Sequence, residues 1–129
     1  MTLPILAALV LFAIQASLHT SIWFVTSDDP DKGAYGLGPR DRTINLSVQA
    51  ERAKRAHTNF AESLPAFLAL ALLHEIHGDL GSAPLAAWGF VAFRVAYVPA
   101  YISGIPGIRS MMWLGSGVCL IGMGGMLLT

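Results

Sequence analysis

The chain has 129 residues, 54% hydrophobic and 12% charged, with eight Lys and Arg balancing eight Asp and Glu. About 25% of residues are charged in soluble domains, so this composition and a mean hydropathy of +0.59 exclude an ordinary soluble domain and point to an integral membrane protein. Zero formal net charge leaves no basic stripe for nucleic acid, and the single Cys119 allows no intrachain disulfide.

In chain order, Leu3 to Val25 is the first apolar run that can span a bilayer core, which takes roughly 20 helical residues. The run exceeds the roughly 7–15 residues of a signal-peptide core and lacks a basic start, so it reads as a retained transmembrane helix. His19 is its lone polar ring, expected to serve packing or a backbone hydrogen bond. The long polar connection from Thr26 to about Arg42 holds Pro30, Gly33, Gly36, Gly38 and Pro39, which predict no regular structure. A second helix has a polar lead-in from about Thr43 and an apolar part from Phe60 to about Ile76.

The stretch HEIHGDLGSA near 74–83 reads as a short outer connection with His74 and His77 in solvent. A zinc-binding HExxH helix needs two His four apart, so no metal site is predicted. The third helix runs from Pro84 to about Ser103 and is expected to kink at Pro99. GIPG at 104–107 leads into the fourth, Ile108 to Leu128, whose GMGGM run offers a smooth face for close helix approach. Cys119 reads as a small apolar packing residue. Short connections make consecutive helices antiparallel neighbours. The expected fold is all-α: one domain over residues 1–129, an integral membrane four-helix bundle.

Six of the eight basic residues (Lys32, Arg40, Arg42, Arg52, Lys54 and Arg55) lie on the first connection or open the second helix. Arg109 lies at the last joint and Arg94 inside helix three. The positive-inside rule places connections one and three in the cytoplasm and both termini outside.

Arg52, Arg55, Asn59 and Glu62 are spaced 0, 3, 7 and 10, on one helical stripe. A lone carboxylate at membrane depth costs roughly 2.5–3.5 kcal/mol, so Glu62 needs a partner. One reading pairs it with an Arg of the same bundle to lock packing. The other is a polar pocket near the cytoplasmic end, with Arg55 as forked donor, Asn59 as two-way hydrogen-bonder and Glu62 as acceptor for a cation. That set suits a small zwitterion with carboxylates and an amine. Arg94, Tyr97 and Tyr101, spaced 0, 3 and 7, form a second stripe, read as pocket wall or as interfacial anchors. Arg109 and Ser110 sit in the first turn of helix four, where the helix dipole favours a negative partner. The plain alternatives are a positive-inside anchor for Arg109 and a helix-start role for Ser110.

Glu51, Arg52, Arg55, Ala56, His57, Asn59, Glu62, Pro65 and Phe67 occupy nine positions over seventeen residues. This pattern resembles the signature of the MAPEG family, membrane-associated proteins in eicosanoid and glutathione metabolism. The block Arg94, Tyr97, Tyr101 and then Ile108, Arg109, Ser110 extends the resemblance over essentially the whole chain. It implies a homotrimer of four-helix subunits that binds glutathione between neighbours near the cytoplasmic side. Arg55, Asn59 and Glu62 would hold the glutathione backbone and charged ends, with Tyr97 and Tyr101 nearby, and Arg109 would lie close to the sulfur with Ser110 beside it. The chain departs from the family at the end of helix one, where SIWFVTSDDPDK lacks the Arg of active mammalian members, and at Thr58 and Trp113. The lack of an organelle cue and the compact form point to a bacterial inner membrane, with both termini periplasmic.

Two functions follow. The first is a microsomal glutathione transferase-like enzyme, a transferase or peroxidase for lipophilic electrophiles. The second is a non-enzymatic membrane protein: an accessory subunit of a larger membrane complex, or a lipid-binding bundle that has lost glutathione chemistry.

Overall fold

The computed structural model describes residues 1–78 and 81–128. The tip of the expected second connection, residues 79 and 80, lies outside them. The described residues are all-helical, with α1 over Thr2–Thr26, α2 over Lys32–Leu37, α3 over Val48–His77, α4 over Ala83–Ser103 and α5 over Ile108–Met126. Four of these match the expected long helices. Two of them, α1 and α4, are long and apolar enough by themselves to cross a membrane; four spans were expected.

Three expectations change. Instead of an irregular first connection, the segment KGAYGL forms the short helix α2, and Lys32 explains why it forms there. Its Nζ donates to the carbonyls of Phe24 and Ser27, both at 3.0 Å, which closes the open carbonyl end of α1. Tyr35 of α2 then packs edge-on against Trp23 of α1 at 5.2 Å. Next, α3 begins at Val48 and not near Thr43, because Ser47 caps it by accepting from the Ala50 N–H at 3.2 Å. Finally, HEIH is the last turn of α3 and not a loop. His74 is buried and its ring Nε2 lies 2.9 Å from the Met123 carbonyl of α5. His77, on the exposed side, bonds back to the Leu73 carbonyl at 2.8 Å. The helix ends at Gly78, whose φ of 75° suits glycine.

The helices pack α1 on α3, α3 on α4 and α4 on α5. The core centres on rings: Phe67 stacks on Phe90 at 4.5 Å with an interplanar angle of 10°, and Phe60 lies 6.2 Å from Phe90. Small residues bring α4 and α5 together, but not at the GMGGM run. A Cβ at Gly115 would meet the Phe93 ring at 2.6 Å and one at Gly89 would meet the Cys119 Sγ at 2.9 Å, whereas Gly122 and Gly125 face open space. The helix α4 runs unbroken through Pro99.

Leu3, Leu6, Val10 and Ile14 lie exposed along one side of α1, an apolar face suited to lipid. The polar side chains of α1 do not disturb it. The hydroxyls of Ser17, Ser21 and Thr26 bond back to the carbonyls of Ile14, Ser17 and Ile22, which satisfies them without water. The helices run antiparallel in sequence, so one end of the molecule gathers the end of α1, the start of α3, the end of α4 and the start of α5. There Thr26 lies 3.4 Å from Ser47 and Arg52 Nη1 donates to the Ile102 carbonyl at 3.0 Å.

Candidate functional site

The stripe on α3 meets α4 through Asn59. Arg94 Nη1 donates to Asn59 Oδ1 at 2.6 Å. The Arg94 side chain is only 3% exposed, and its guanidinium lies over three rings, Phe90 at 5.5 Å, Tyr97 at 5.6 Å and Phe60 at 5.9 Å. Aromatic faces carry negative charge density and offset part of the desolvation of the cation. Its Nε is buried with no partner among the described residues.

One turn on, Tyr97 meets Tyr101 edge-on at 5.4 Å, and Arg109 lies over the Tyr101 ring at 5.0 Å. The polar groups thus run continuously from α3 through α4 to α5. The turn between α4 and α5 depends on Gly104, which caps α4 at a φ of 74°. A Cβ there would run into the Arg52 guanidinium, so only glycine suits this position in both backbone and space.

Three adjoining clefts line this path. The first, about 480 Å³, holds Arg52, Arg55, Tyr101 and Arg109. The second, about 330 Å³, holds Asn59, Tyr97, Tyr101, Arg109, Ser110 and Trp113. The third, about 230 Å³, holds Asn59, Glu62, Arg94 and Trp113. Tyr101 and Arg109 belong to the first two, and Asn59 and Trp113 to the last two. All seven residues singled out by the sequence, Arg55, Asn59, Glu62, Tyr97, Tyr101, Arg109 and Ser110, therefore line one run of clefts.

Their partners differ from the expectation. Glu62 is exposed and forms no ion pair among the described residues. Arg94 takes Asn59 instead, and Arg55 lies 3.7 Å from Glu51, one turn earlier on α3. Ser110 and Arg109 are exposed in the first turn of α5, whose cap is Gly107. Of the lining residues outside the seven, Arg52, Arg94 and Trp113 carry the large polar or aromatic side chains. An Arg inside an apolar helix marked Arg94, and Arg52 already shared the α3 stripe. Trp113 follows Arg109 by one helical turn, the spacing that places both on one face.

The sequence profile of the MAPEG family matches residues 3–129. The chain belongs to the MAPEG family. No curated protein matches it. Family membership, with the apolar α1 and α4, makes this a MAPEG-like membrane protein, and the clefts lie on the polar stripes of a MAPEG chain.

Proposed function

We propose that this MAPEG protein is a glutathione-dependent transferase or peroxidase that acts on lipophilic electrophiles from the bilayer. In this reading residues 1–129 form one four-helix domain that crosses the membrane four times and works as a homotrimer. The observation that carries the reading is the run of clefts joining Glu62 and Asn59 on α3 through Tyr97 and Tyr101 on α4 to Arg109 on α5. Its donor set fits glutathione, which has two carboxylates, an amine and a thiol. Arg55 is exposed with its guanidinium free of any bond tighter than the 3.7 Å contact to Glu51, and suits a carboxylate. Glu62 suits the amine.

Glutathione supplies the thiol when bound. Arg109 and the free amide groups of the first turn of α5 hold negative charge at the sulfur, and the Tyr101 ring holds the Arg109 guanidinium in place. Asn59 is fixed by Arg94 and so presents its amide nitrogen in a set direction. Arg94 serves here as a positioning residue. The exposed Glu62 carboxylate supports a neighbouring copy at this face, since a lone carboxylate in lipid costs roughly 2.5–3.5 kcal/mol. The Lys and Arg asymmetry supports cytoplasmic clefts and termini on the opposite side, which in a bacterial inner membrane, the location the compact form and the lack of an organelle cue suggest, is the periplasm.

Titration calorimetry on the purified protein tests the reading. Glutathione should give saturable heat, and Glu62→Ala should weaken the affinity roughly tenfold, the effect of one lost charge-assisted bond. A silent titration would sink it in favour of a second reading, an accessory or lipid-binding bundle. One feature favours that alternative: the end of α1 has no Arg, and its nearest cation, Lys32, is occupied by the Phe24 and Ser27 carbonyls.

A further inference from the structure

A second pocket, about 250 Å³, lies where the end of α1, the connection after it and the start of α3 meet. It shares no lining residue with the three clefts described above. We propose that this pocket binds a phosphate group with no cation attached to it, the headgroup of an anionic phospholipid or, in simpler form, free phosphate.

The charge of its wall supports this. Arg40, Arg42 and Lys54 line it and no Asp or Glu does. Arg42 is neutralised by Asp29 at 2.7 Å. Lys54 forms no ion pair among the described residues, and Arg40 reaches only the Gly36 carbonyl, at 3.3 Å. Two cations thus remain for a ligand. Arg40 has a φ of 59° and is the one non-glycine residue with positive φ among those described, a conformation that side-chain-bearing residues rarely hold. His19, at the same wall, has its Nε2 3.3 Å from Thr20 Oγ1, while its Nδ1 is buried without a partner.

Position favours the lipid source. The pocket sits at the polar end of the apolar helix α1, the depth of a headgroup. Trp23 and Tyr35, in its wall and packed on each other, belong to the residue types that mark a membrane interface. Basic pockets between helices at this level are suited to anionic headgroups. The volume falls short of the roughly 300–1,000 Å³ of sites for drug-sized ligands, which fits a headgroup better than a whole cofactor.

The test uses the full-length protein in dodecyl maltoside. Retention of dioleoylphosphatidylglycerol and of dioleoylphosphatidylcholine is read by native mass spectrometry, and binding of inorganic phosphate by phosphorus NMR line broadening. The proposal expects the protein to retain the anionic lipid in preference to the zwitterionic one. Lys54→Gln with Arg40→Gln should weaken this roughly tenfold or more. Both side chains are exposed, so the fold survives their loss, and Lys54→Gln alone should give part of the effect. Arg55→Gln, a neighbouring cation of α3 that lines the first cleft and not this pocket, should leave retention unchanged. Line broadening of inorganic phosphate that vanishes in the double variant, without lipid preference, supports the same site with free phosphate as its source. Equal retention of both lipids with no phosphate broadening overturns the proposal. So does a loss in Arg55→Gln as large as in Lys54→Gln, which would mean general charge attraction and no pocket.

Discussion

Arg94 and Asn59 form the one hydrogen bond from side chain to side chain between α3 and α4 among the described residues, Nη1 to Oδ1 at 2.6 Å. It joins a residue of the family signature to a cation buried among three aromatic rings, Phe60 of α3 and Phe90 and Tyr97 of α4. The bond is charge-assisted, so it is both short and strong.

Asn59→Leu should therefore destabilise the protein by about 3 kcal/mol, because it leaves a buried guanidinium unpaired. Asn59→Asp keeps an acceptor for Arg94 and should retain most of the stability. Thermal unfolding in detergent, followed by circular dichroism, separates the two. Equal losses in both variants would mean that the bond contributes little.

Gly104→Ala should also destabilise, by about 1–2 kcal/mol for the left-handed backbone alone and further for displacing Arg52. The displaced Arg52 gives up its bond to the Ile102 carbonyl. Combining Gly104→Ala with Arg52→Ala should recover the steric part and leave the backbone part, a non-additive double-mutant cycle.

Arg109 is expected to act on the thiol. Holding a thiol of ordinary pKa near 8.5 mostly as thiolate at neutral pH needs a shift of about two units, or about 2.7 kcal/mol. Ultraviolet absorbance of the bound thiolate against pH should show this in the parent protein. In Arg109→Ala, binding should persist through Arg55, Asn59 and Glu62 while the thiol returns towards its free value. An unchanged titration curve would remove Arg109 from the chemistry.

The first connection has its own pH dependence. The Asp31 backbone N–H, at 2.9 Å, is the main reason that the Asp29 carboxyl titrates below its ordinary value of 3.8, and Arg42 adds to it. A depressed carboxyl pKa stabilises the fold fully above the ordinary value, and the contribution is lost as pH falls through the lower folded value. The stability difference between the parent and Asp29→Asn should therefore be constant from neutral pH down to about 4 and shrink below it. Comparing thermal midpoints of the two proteins at several pH values checks this.

Periodicity alone placed the polar residues. Spacings of three and four put Arg52, Arg55, Asn59 and Glu62 on one side of α3 and Arg94, Tyr97 and Tyr101 on one side of α4, because a helix turns about 100° per residue and nothing distant alters that. The long helices were legible for the same reason, with ends set by local signals such as Gly78 and Gly104. Tertiary packing decided who meets whom. Glu62 was the obvious partner for a buried Arg, yet Arg94 reaches Asn59, since the relative rotation of α3 and α4 is set by ring packing between Phe60, Phe67 and Phe90. The burial of His74 depended on α5 arriving beside it with the Met123 carbonyl. The helix α2 depended on Lys32 reaching back to the end of α1. A sequence states which face a side chain occupies, but its partner lies on another helix, and only the packed arrangement of helices brings the two within bonding distance.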